Sequence, residues 1–361
     1  MNQHKTICFI NSVTSWGGGE KWHFEMAKRL KAKGHNIIFI CRRNSELAKK
    51  LANTNIYVNN FEVHNLSFLN IFKINKIRKF LKSSQVDIAI LNFSADIKTV
   101  GPAAKLAGVN RIIYRRGSAI PIKNSILNRI IFKRILTDII ANSQETKKTI
   151  LQNNPDLFNK DKIKVIYNGL ETIKPASAPI YKREKNEIVL GNAGRLVQQK
   201  GQKYLIEIAK ELKAKKIKFT ILIAGNGPLS KELSDQVQKE NLANEIKFLG
   251  FVNNINEFMN SIDIFLLTSL WEGFGFVLAE AMLNIKPIVA WNISSNPELV
   301  NHGENGYLAP PFEIETFTQH IIKLIKDPKL REEFGKKGRT MAETKFSYMQ
   351  TTNQLCNFLN V

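Results

Sequence analysis

Short apolar runs recur along this chain at intervals that leave room for one amphipathic helix between each run and the next. KTICFIN (5–11), NIIFIC (36–41), VDIAIL (86–91), VNRIIYR (109–115), LTDIIAN (136–142) and KIKVIYNG (162–169) form one series. EIVLGNAG (187–194), KFTILIAG (218–225), KFLGFV (247–252), DIFLLTS (263–269) and KPIVAW (286–291) form a second. Runs with little polar alternation are strands covered on both faces, and a helix between strands carries the chain back so that they pair in parallel. The pattern predicts an α/β fold built from two doubly wound sheets. ETIKPASAPIYKREKN (171–186) interrupts it with prolines and mixed charges, so a linker is expected there. The expected domains are 1–170 and 187–340.

Charge divides unevenly between the two series. Residues 1–175 hold 30 Lys and Arg against 11 Asp and Glu, a difference of +19. Residues 176–361 hold 23 against 20, a difference of +3. The first half therefore calls for an anionic partner. No helix-turn-helix, zinc-finger or RNA-binding aromatic signature accompanies the charge, so a nucleic-acid-binding protein is a poor fit. The start, MNQHKTICFINSV, enters a strand pattern without the long apolar core of a secretory signal, and no run approaches the length of a bilayer span. Cys8, Cys41 and Cys356 have no metal spacing, and their odd number suits a reducing, cytoplasmic compartment. No metal site is expected.

Four loops at strand ends carry the chemistry. Gly17, Gly18 and Gly19 lie between the first strand and the first helix, where backbone N–H groups can approach an anion. They lack the spaced glycines of a dinucleotide fingerprint, which weakens a nicotinamide enzyme. In GNAGRLVQQKG (191–201), Arg195 and Lys200 bracket a helix start, either as a diphosphate clamp or as two surface cations. AGNGPL (224–229), with Gly225, reads alone as a turn. In SLWEGFGFVLAEAMLNIKPIVA (269–290), a helix beginning near Gly275 leaves Glu272 in the loop and Glu280 in the second turn. The N–H groups of Gly275, Phe276 and Val277 between them would suit a phosphate. A half-buried Glu280 needs donors, which a ribose diol or the protein could supply, and Glu272 could instead cap the helix.

Glu272 and Glu280, separated by GFGFVLA and followed by AM-x-N-x-K-P-I-V-A, resemble the E-x7-E signature of retaining glycosyltransferase family 4, the glycosyl transferases group 1. The early glycine loop, IIANSQ (139–144), VIYNG (165–169), GRLVQQKG (194–201), AGNGP (224–228), SLWEGFG (269–275) and NGYLAP (305–310) follow in the family's order. The resemblance covers nearly the whole chain and extends to bacterial lipopolysaccharide and cell-surface glycan glycosyltransferases. It implies a GT-B arrangement, two facing Rossmann-like domains with a central cleft, with 341–361 a helical segment crossing back to the first domain. It also implies transfer of a sugar from a nucleoside-diphosphate donor with retention, without metal or cofactor. Arg195 and Lys200 would bind the diphosphate, Glu280 the ribose and Glu272 the transferred sugar. Gly18 and Gly19 would approach the donor from the other domain, and Asn305 and Gly306 would lie in a loop near the cleft. One departure stands out. YRRGSAIP (114–121) has Arg115 and Arg116 where family members often carry a histidine, and Arg116 is the residue expected to touch donor or acceptor.

The family context makes the expected partner a nucleotide sugar together with an anionic glycolipid or phosphorylated glycan acceptor, in lipopolysaccharide or surface polysaccharide synthesis. LSFLNIFKINKIRKFLK (66–82) and IPIKNSILNRIIFKRIL (120–136) mix apolar residues with Lys and Arg. They read either as helices covering a sheet or as a peripheral contact with an anionic membrane on its cytoplasmic face. A GT-B-like sugar-nucleotide epimerase or phosphorylase is the alternative activity.

Overall fold

The computed structural model describes residues 4–171, 178–185 and 187–361. These divide into two compact units, one of Met1–Gly169 with Tyr348–Val361 and one of Leu170–Ser347. Part of the expected linker, 172–177 and 186, lies outside the described residues. Of the rest, Ile180 and Tyr181 donate their amides to Ser261 Oγ, and Arg183 pairs with Asp263 at 2.9 Å, so this stretch is fastened to the second unit.

In the first unit, β1 (Thr6–Asn11), α1 (Gly18–Ala32), β2 (Asn36–Cys41), α2 (Glu46–Leu51), β3 (Tyr57–Asn60) and α3 (Ile71–Ser83) come first. They are followed by β4 (Ile88–Leu91), α4 (Ser94–Ala107), β5 (Arg111–Arg116), α5 (Ile126–Ile130), β6 (Asp138–Ala141), α6 (Gln144–Leu151) and β7 (Ile163–Val165). The strands form one parallel sheet in the order β3-β2-β1-β4-β5-β6-β7. Successive side chains of β1 go to opposite faces. Cys8 and Ile10 join the layer under α3 and α4, while Ile7 and Phe9 join Trp22 and Met26 of α1. This two-sided burial is why the strands carry almost no polar alternation.

The second unit holds β8 (Ile188–Ala193), α7 (Lys203–Ala214), β9 (Phe219–Ala224), α8 (Ser230–Lys239), β10 (Ile246–Gly250), α9 (Ile255–Ser261) and β11 (Ile264–Leu267). It continues with α10 (Phe276–Leu283), β12 (Ile288–Trp291), α11 (Asn296–Leu299), β13 (Gly306–Ala309), α12 (Ile314–Lys326) and α13 (Pro328–Lys345). Its parallel sheet runs β10-β9-β8-β11-β12-β13. A last helix, α14 (Tyr348–Leu359), belongs to the first unit, where Leu355, Cys356 and Leu359 complete the apolar layer around Trp22 and Met26.

Several local features refine or correct the reading of the sequence. Helix α1 starts at Gly18, so Gly18 and Gly19 form its first turn instead of a loop. The helical segment expected over 341–361 consists of the end of α13 and α14, with a break at Phe346 and Ser347. Strand β3, YVNN, has no apolar run to announce it because it sits at the sheet edge with half its residues exposed. Gly306 opens strand β13, where a Cβ would stand 2.5 Å from Ile288 O, and Asn305 is buried and donates from Nδ2 to Leu299 O. Both lie at the amino end of a parallel strand, the edge of the sheet away from the loops described next.

Candidate active site

In an open parallel sheet, ligands bind beyond the carboxyl ends of the strands where the strand order reverses. In the second unit that point lies between β8 and β11, which pair directly while their chain continuations depart in opposite directions. The loop after β8 carries Arg195 and Lys200, and the loop after β11 carries Glu272. These loops are stitched together. Leu270 donates its amide to Gln199 O at 2.8 Å, Gln199 Nε2 donates to Trp271 O at 2.9 Å, and Thr268 Oγ1 donates to Lys200 O at 3.4 Å. Gly201 makes the approach possible. Its φ is +62°, and a Cβ there would stand 2.2 Å from Thr268 O.

The stitching brings two of the sequence candidates into contact. Lys200 Nζ and Glu272 Oε1 are 2.5 Å apart, with side chains only 17% and 8% exposed. Glu272 is held from behind as well. Its amide donates to Ser294 Oγ at 3.2 Å, and its carbonyl accepts from Ser294 Oγ at 2.7 Å and Ser295 Oγ at 3.1 Å. An ammonium has three donors, so Lys200 can keep Glu272 and still meet a phosphate oxygen. Arg195 is different. Its side chain is exposed, it has no ion-pair partner among the described residues, and its own carbonyl is anchored by Gln202 Nε2 at 3.0 Å. The loop is thus fixed while the guanidinium is available.

Gly225 lies beside the same loop. Its amide donates to Gly250 O at 2.7 Å, its φ is +135°, and a Cβ would fall 1.9 Å from Gly194 O. It serves close packing of two strand-end loops. Gly275 caps α10 with φ +80°, so Phe276 and Val277 open the helix at the positive end of its dipole. Glu280 sits half-buried in the second turn, and its carbonyl accepts from Asn284 Nδ2 at 2.9 Å. Glu272 is in the loop ahead of the helix, as its position before Gly275 implies.

The first unit holds the other candidates. At its own reversal point, between β1 and β4, Glu20 Oε1 accepts from Asn11 Nδ2 and Asn92 Nδ2, each at 3.2 Å. A Cβ on Gly19 would stand 2.8 Å from Asn92 Nδ2, so the glycine lets this cluster close. Gly18 lies next to it in the first turn of α1. Asp96 accepts from the amides of Phe93 at 2.9 Å and Ser12 at 3.4 Å, and burial pushes its pKa up to about 6. Arg115 is buried, donates to Asn168 Oδ1 at 2.6 Å and lies 5.2 Å over the Trp22 ring. Burial lowers its pKa to about 10. It is a packing residue of the core. Arg116 instead points out of β5 to the wall of a cavity of about 190 Å3. A larger cavity of about 540 Å3 lies at the ends of β1 to β4, lined by Ser12, Thr14, Arg42, His64, Leu66 and Phe93 among others.

Sequence reasoning missed Ser294, Ser295, Asn192 and Ser269. The first two lie in WNISSNPE, directly after β12, the strand-end position shared by the loops that lead to Gly18 and carry Arg195, Gly225 and Glu272. Asn192 Oδ1 and Ser269 Oγ are buried at the carboxyl ends of β8 and β11 without a hydrogen-bond partner among the described residues. No group of three or more His, Cys, Asp or Glu among the described residues is placed to hold a metal ion.

Comparison with known proteins matches residues 16–174 to the model of Glycosyltransferase Family 4 and residues 174–341 to that of Glycosyl transferases group 1. An uncharacterized glycosyltransferase of Haemophilus influenzae is 28% identical over 345 residues, covering 93% of this chain and 94% of that one. The poly(ribitol-phosphate) alpha-N-acetylglucosaminyltransferase of Staphylococcus aureus is 27% identical over 236 residues, 63% of this chain and 47% of that one. The crystal structure of Anabaena HepE in complex with UDP and glucose superposes with a TM-score of 0.82 at 24% identity, covering 99% of this chain and 100% of that one. This likeness establishes the fold, a GT-B pair of Rossmann-like α/β units.

Proposed function

We propose, from the premise that the chain belongs to the glycosyltransferase superfamily described by the group 1 and family 4 models, that it is a retaining enzyme acting on an anionic glycan or glycolipid. As a glycosyltransferase of the GT-B fold it takes its sugar from a nucleoside-diphosphate donor. The observation that carries the reading is the Lys200–Glu272 pair, closed to 2.5 Å at the reversal point of the second sheet. Arg195, Lys200 and the amides of Gly275, Phe276 and Val277 receive the diphosphate. Glu280 holds the ribose hydroxyls, Glu272 the hydroxyls of the transferred sugar, and Gly225 keeps the neighbouring loop close. In the first unit, Gly18, Gly19 and Arg116 serve the donor or the acceptor.

As the bond from the anomeric carbon to the phosphate oxygen breaks, negative charge grows on the leaving group. Fixed cations and amides aimed at that charge lower the barrier without reorganising. The acceptor oxygen bonds to the anomeric carbon on the face the phosphate leaves, and its proton passes to the departing phosphate oxygen. Nothing in this path requires a protein nucleophile or a metal.

Two features support the acceptor class. The relative from Staphylococcus aureus is named for a poly(ribitol-phosphate) substrate, which is a phosphate-bearing polymer. The larger cavity of the first unit shares Leu66 with an exposed apolar patch of Leu66, Leu69, Ile71 and Phe72, exposed by 70, 68, 77 and 89%. Lys73, Lys76, Arg78, Lys79 and Lys82 follow in the sequence. That combination fits a peripheral contact with an anionic membrane on the cytoplasmic side, in lipopolysaccharide or surface polysaccharide synthesis. No helix among the described residues is long and apolar enough to cross a membrane.

The test is a panel of nucleotide sugars, read by calorimetry for binding and by NMR for the anomer released during slow hydrolysis. Binding of at least one donor with release of the retained anomer is expected. An inverted anomer would end the retaining assignment, and absence of binding to any donor would end the donor assignment. Mass analysis that finds an isomerised nucleotide sugar or a sugar phosphate would turn the reading to an epimerase or a phosphorylase.

A further inference from the structure

From Ile97 to Thr137, forty-one residues pass without an Asp or Glu, and nine of them are Lys or Arg. Lys105, Arg129, Lys133 and Arg134 face water, Arg111 pairs with Asp138 and Arg115 is buried. The other three, Lys98, Arg116 and Lys123, line one cavity of about 190 Å3 beside α4, α5 and β5. None of the three has an ion-pair partner among the described residues. Like charges around one small space repel, and no carboxylate offsets them here.

The cavity is built, not merely charged. Arg116 donates from Nη1 to Tyr114 Oη at 3.1 Å and from Nη2 to Ile120 O, which holds the guanidinium plane in place. Its Nε is buried with no partner among the described residues. Tyr114 accepts that bond and keeps its own O–H, and its ring is only 4% exposed. Asn128 Nδ2 donates to Lys123 O at 2.7 Å, which fixes the backbone that carries Lys123. Ser94 also lines the space from the first turn of α4, a helix of 14 residues whose dipole adds positive potential.

We propose that this cavity is a binding site for a phosphoryl group. Its volume is below the roughly 300–1,000 Å3 of sites that take a whole small molecule, so it accommodates one charged group. Three positive charges with a planar guanidinium among them match the charge of about −1.5 to −2 and the oxygens of a phosphate monoester. Residues of one helix turn relate it to the larger cavity. Phe93 and Ala95 line the larger one, while Ser94, Ile97 and Lys98 line this one. An acceptor in the larger cavity has only the turn at the start of α4 between it and these cations. The assignment of that group to the acceptor rests on the function proposed above, but the phosphate site itself does not.

Inorganic phosphate titrated by calorimetry at low ionic strength tests it with three proteins: the parent, Lys98→Ala/Lys123→Ala, and Arg195→Ala. Saturable binding that weakens about tenfold or more in the double variant and changes less than about twofold in Arg195→Ala is expected. No saturable binding by the parent, or binding retained by the double variant and lost in Arg195→Ala, would overturn the site. If the double variant melts early, Lys123→Ala alone, at an exposed position, carries the comparison. Nucleoside-diphosphate affinity measured on the same samples separates the outcomes: its absence in the parent would overturn the donor assignment and leave the phosphate site standing. Glucose 6-phosphate and vesicles of phosphatidylglycerol distinguish the sources. Saturable competition by the sugar phosphate places the group on a glycan, and competition by the vesicles alone places it on a lipid headgroup.

Discussion

Arg195 and Lys200 are five residues apart, yet the structure gives them different physical positions. Arg195 is exposed and has no ion pair among the described residues, so Arg195→Ala removes a charge without leaving another one stranded. Transfer should fall about a hundredfold or more while the melting temperature stays near that of the parent. Turnover within about twofold of the parent at saturating donor would exclude it from stabilising the leaving group. Lys200→Ala strips the partner from a mostly buried Glu272, and removal of one member of such a pair costs about 3–5 kcal/mol. It should lose both transfer and several degrees of thermal stability, and an unchanged melt would mean the pair is better solvated than its 2.5 Å contact implies. Gly201→Ala is predicted to destabilise by more than about 1 kcal/mol, since both the left-handed backbone and the carbonyl of Thr268 oppose a methyl group. For Glu280→Ala the expected result is weaker nucleoside-diphosphate binding by calorimetry, with unchanged affinity removing it from the site. Among the four substitutions, only Lys200→Ala combines a functional loss with a buried charge.

At the scale of elements, each chemistry-bearing loop follows the carboxyl end of a strand, because a parallel sheet delivers all its chain exits to one edge. The same logic explains the missed serines, which follow β12 just as Glu272 follows β11. Helix α3 shows where periodicity stops being decisive. Ile77 and Leu81 are buried under it, so it covers the sheet, but Ile71 and Phe72 at its start are bare. The sheet-covering reading of the 66–82 stretch holds for Ile77 and Leu81, and the proposed membrane contact concerns only the bare start of the segment. Ile71→Ser/Phe72→Ser should reduce flotation with phosphatidylglycerol vesicles several-fold while leaving the melt near that of the parent, since the two side chains contribute little buried area. Vesicle binding equal to the parent would separate the apolar patch from any membrane role.

For the whole molecule, charge follows the units. The first holds 29 Lys and Arg against 10 Asp and Glu, the second 24 against 21, so their differences are +19 and +3. Binding to anionic surfaces should therefore weaken with salt, and it should be a property of the first unit. Stability should also depend on pH. His320 is buried beside His302 and Lys323, and burial first, then the electrostatic influence of these neighbours, lowers its pKa to about 4. Burial and Arg115 lower that of His23 as well. Between about pH 6.5 and 4 the unfolded chain binds protons at these histidines that the folded chain refuses, so stability falls as pH drops through that window. Asp96, raised to about 6, has the opposite sign and offsets part of the loss. Thermal melts from pH 7 to 4 should show the decline, and His320→Leu should make it shallower. Equal slopes for the two proteins would mean that His320 is not shielded from water.

The amino-acid order alone determined the parallel α/β architecture, the charge asymmetry and the strand-end loops, because these follow from local periodicity and from which residues tolerate a tight turn. It also placed Glu272 ahead of α10 and Glu280 within it, since a glycine at 275 marks the helix start. Tertiary structure decided what those residues touch. Lys200 meets Glu272 only because two loops 72 positions apart leave adjacent strands at the same edge of the sheet. Arg115 and Arg116 are neighbours in the chain, and the pleat of β5 sends the first into the core and the second to a cavity wall. Long-range packing settles such distinctions, and no local pattern encodes them.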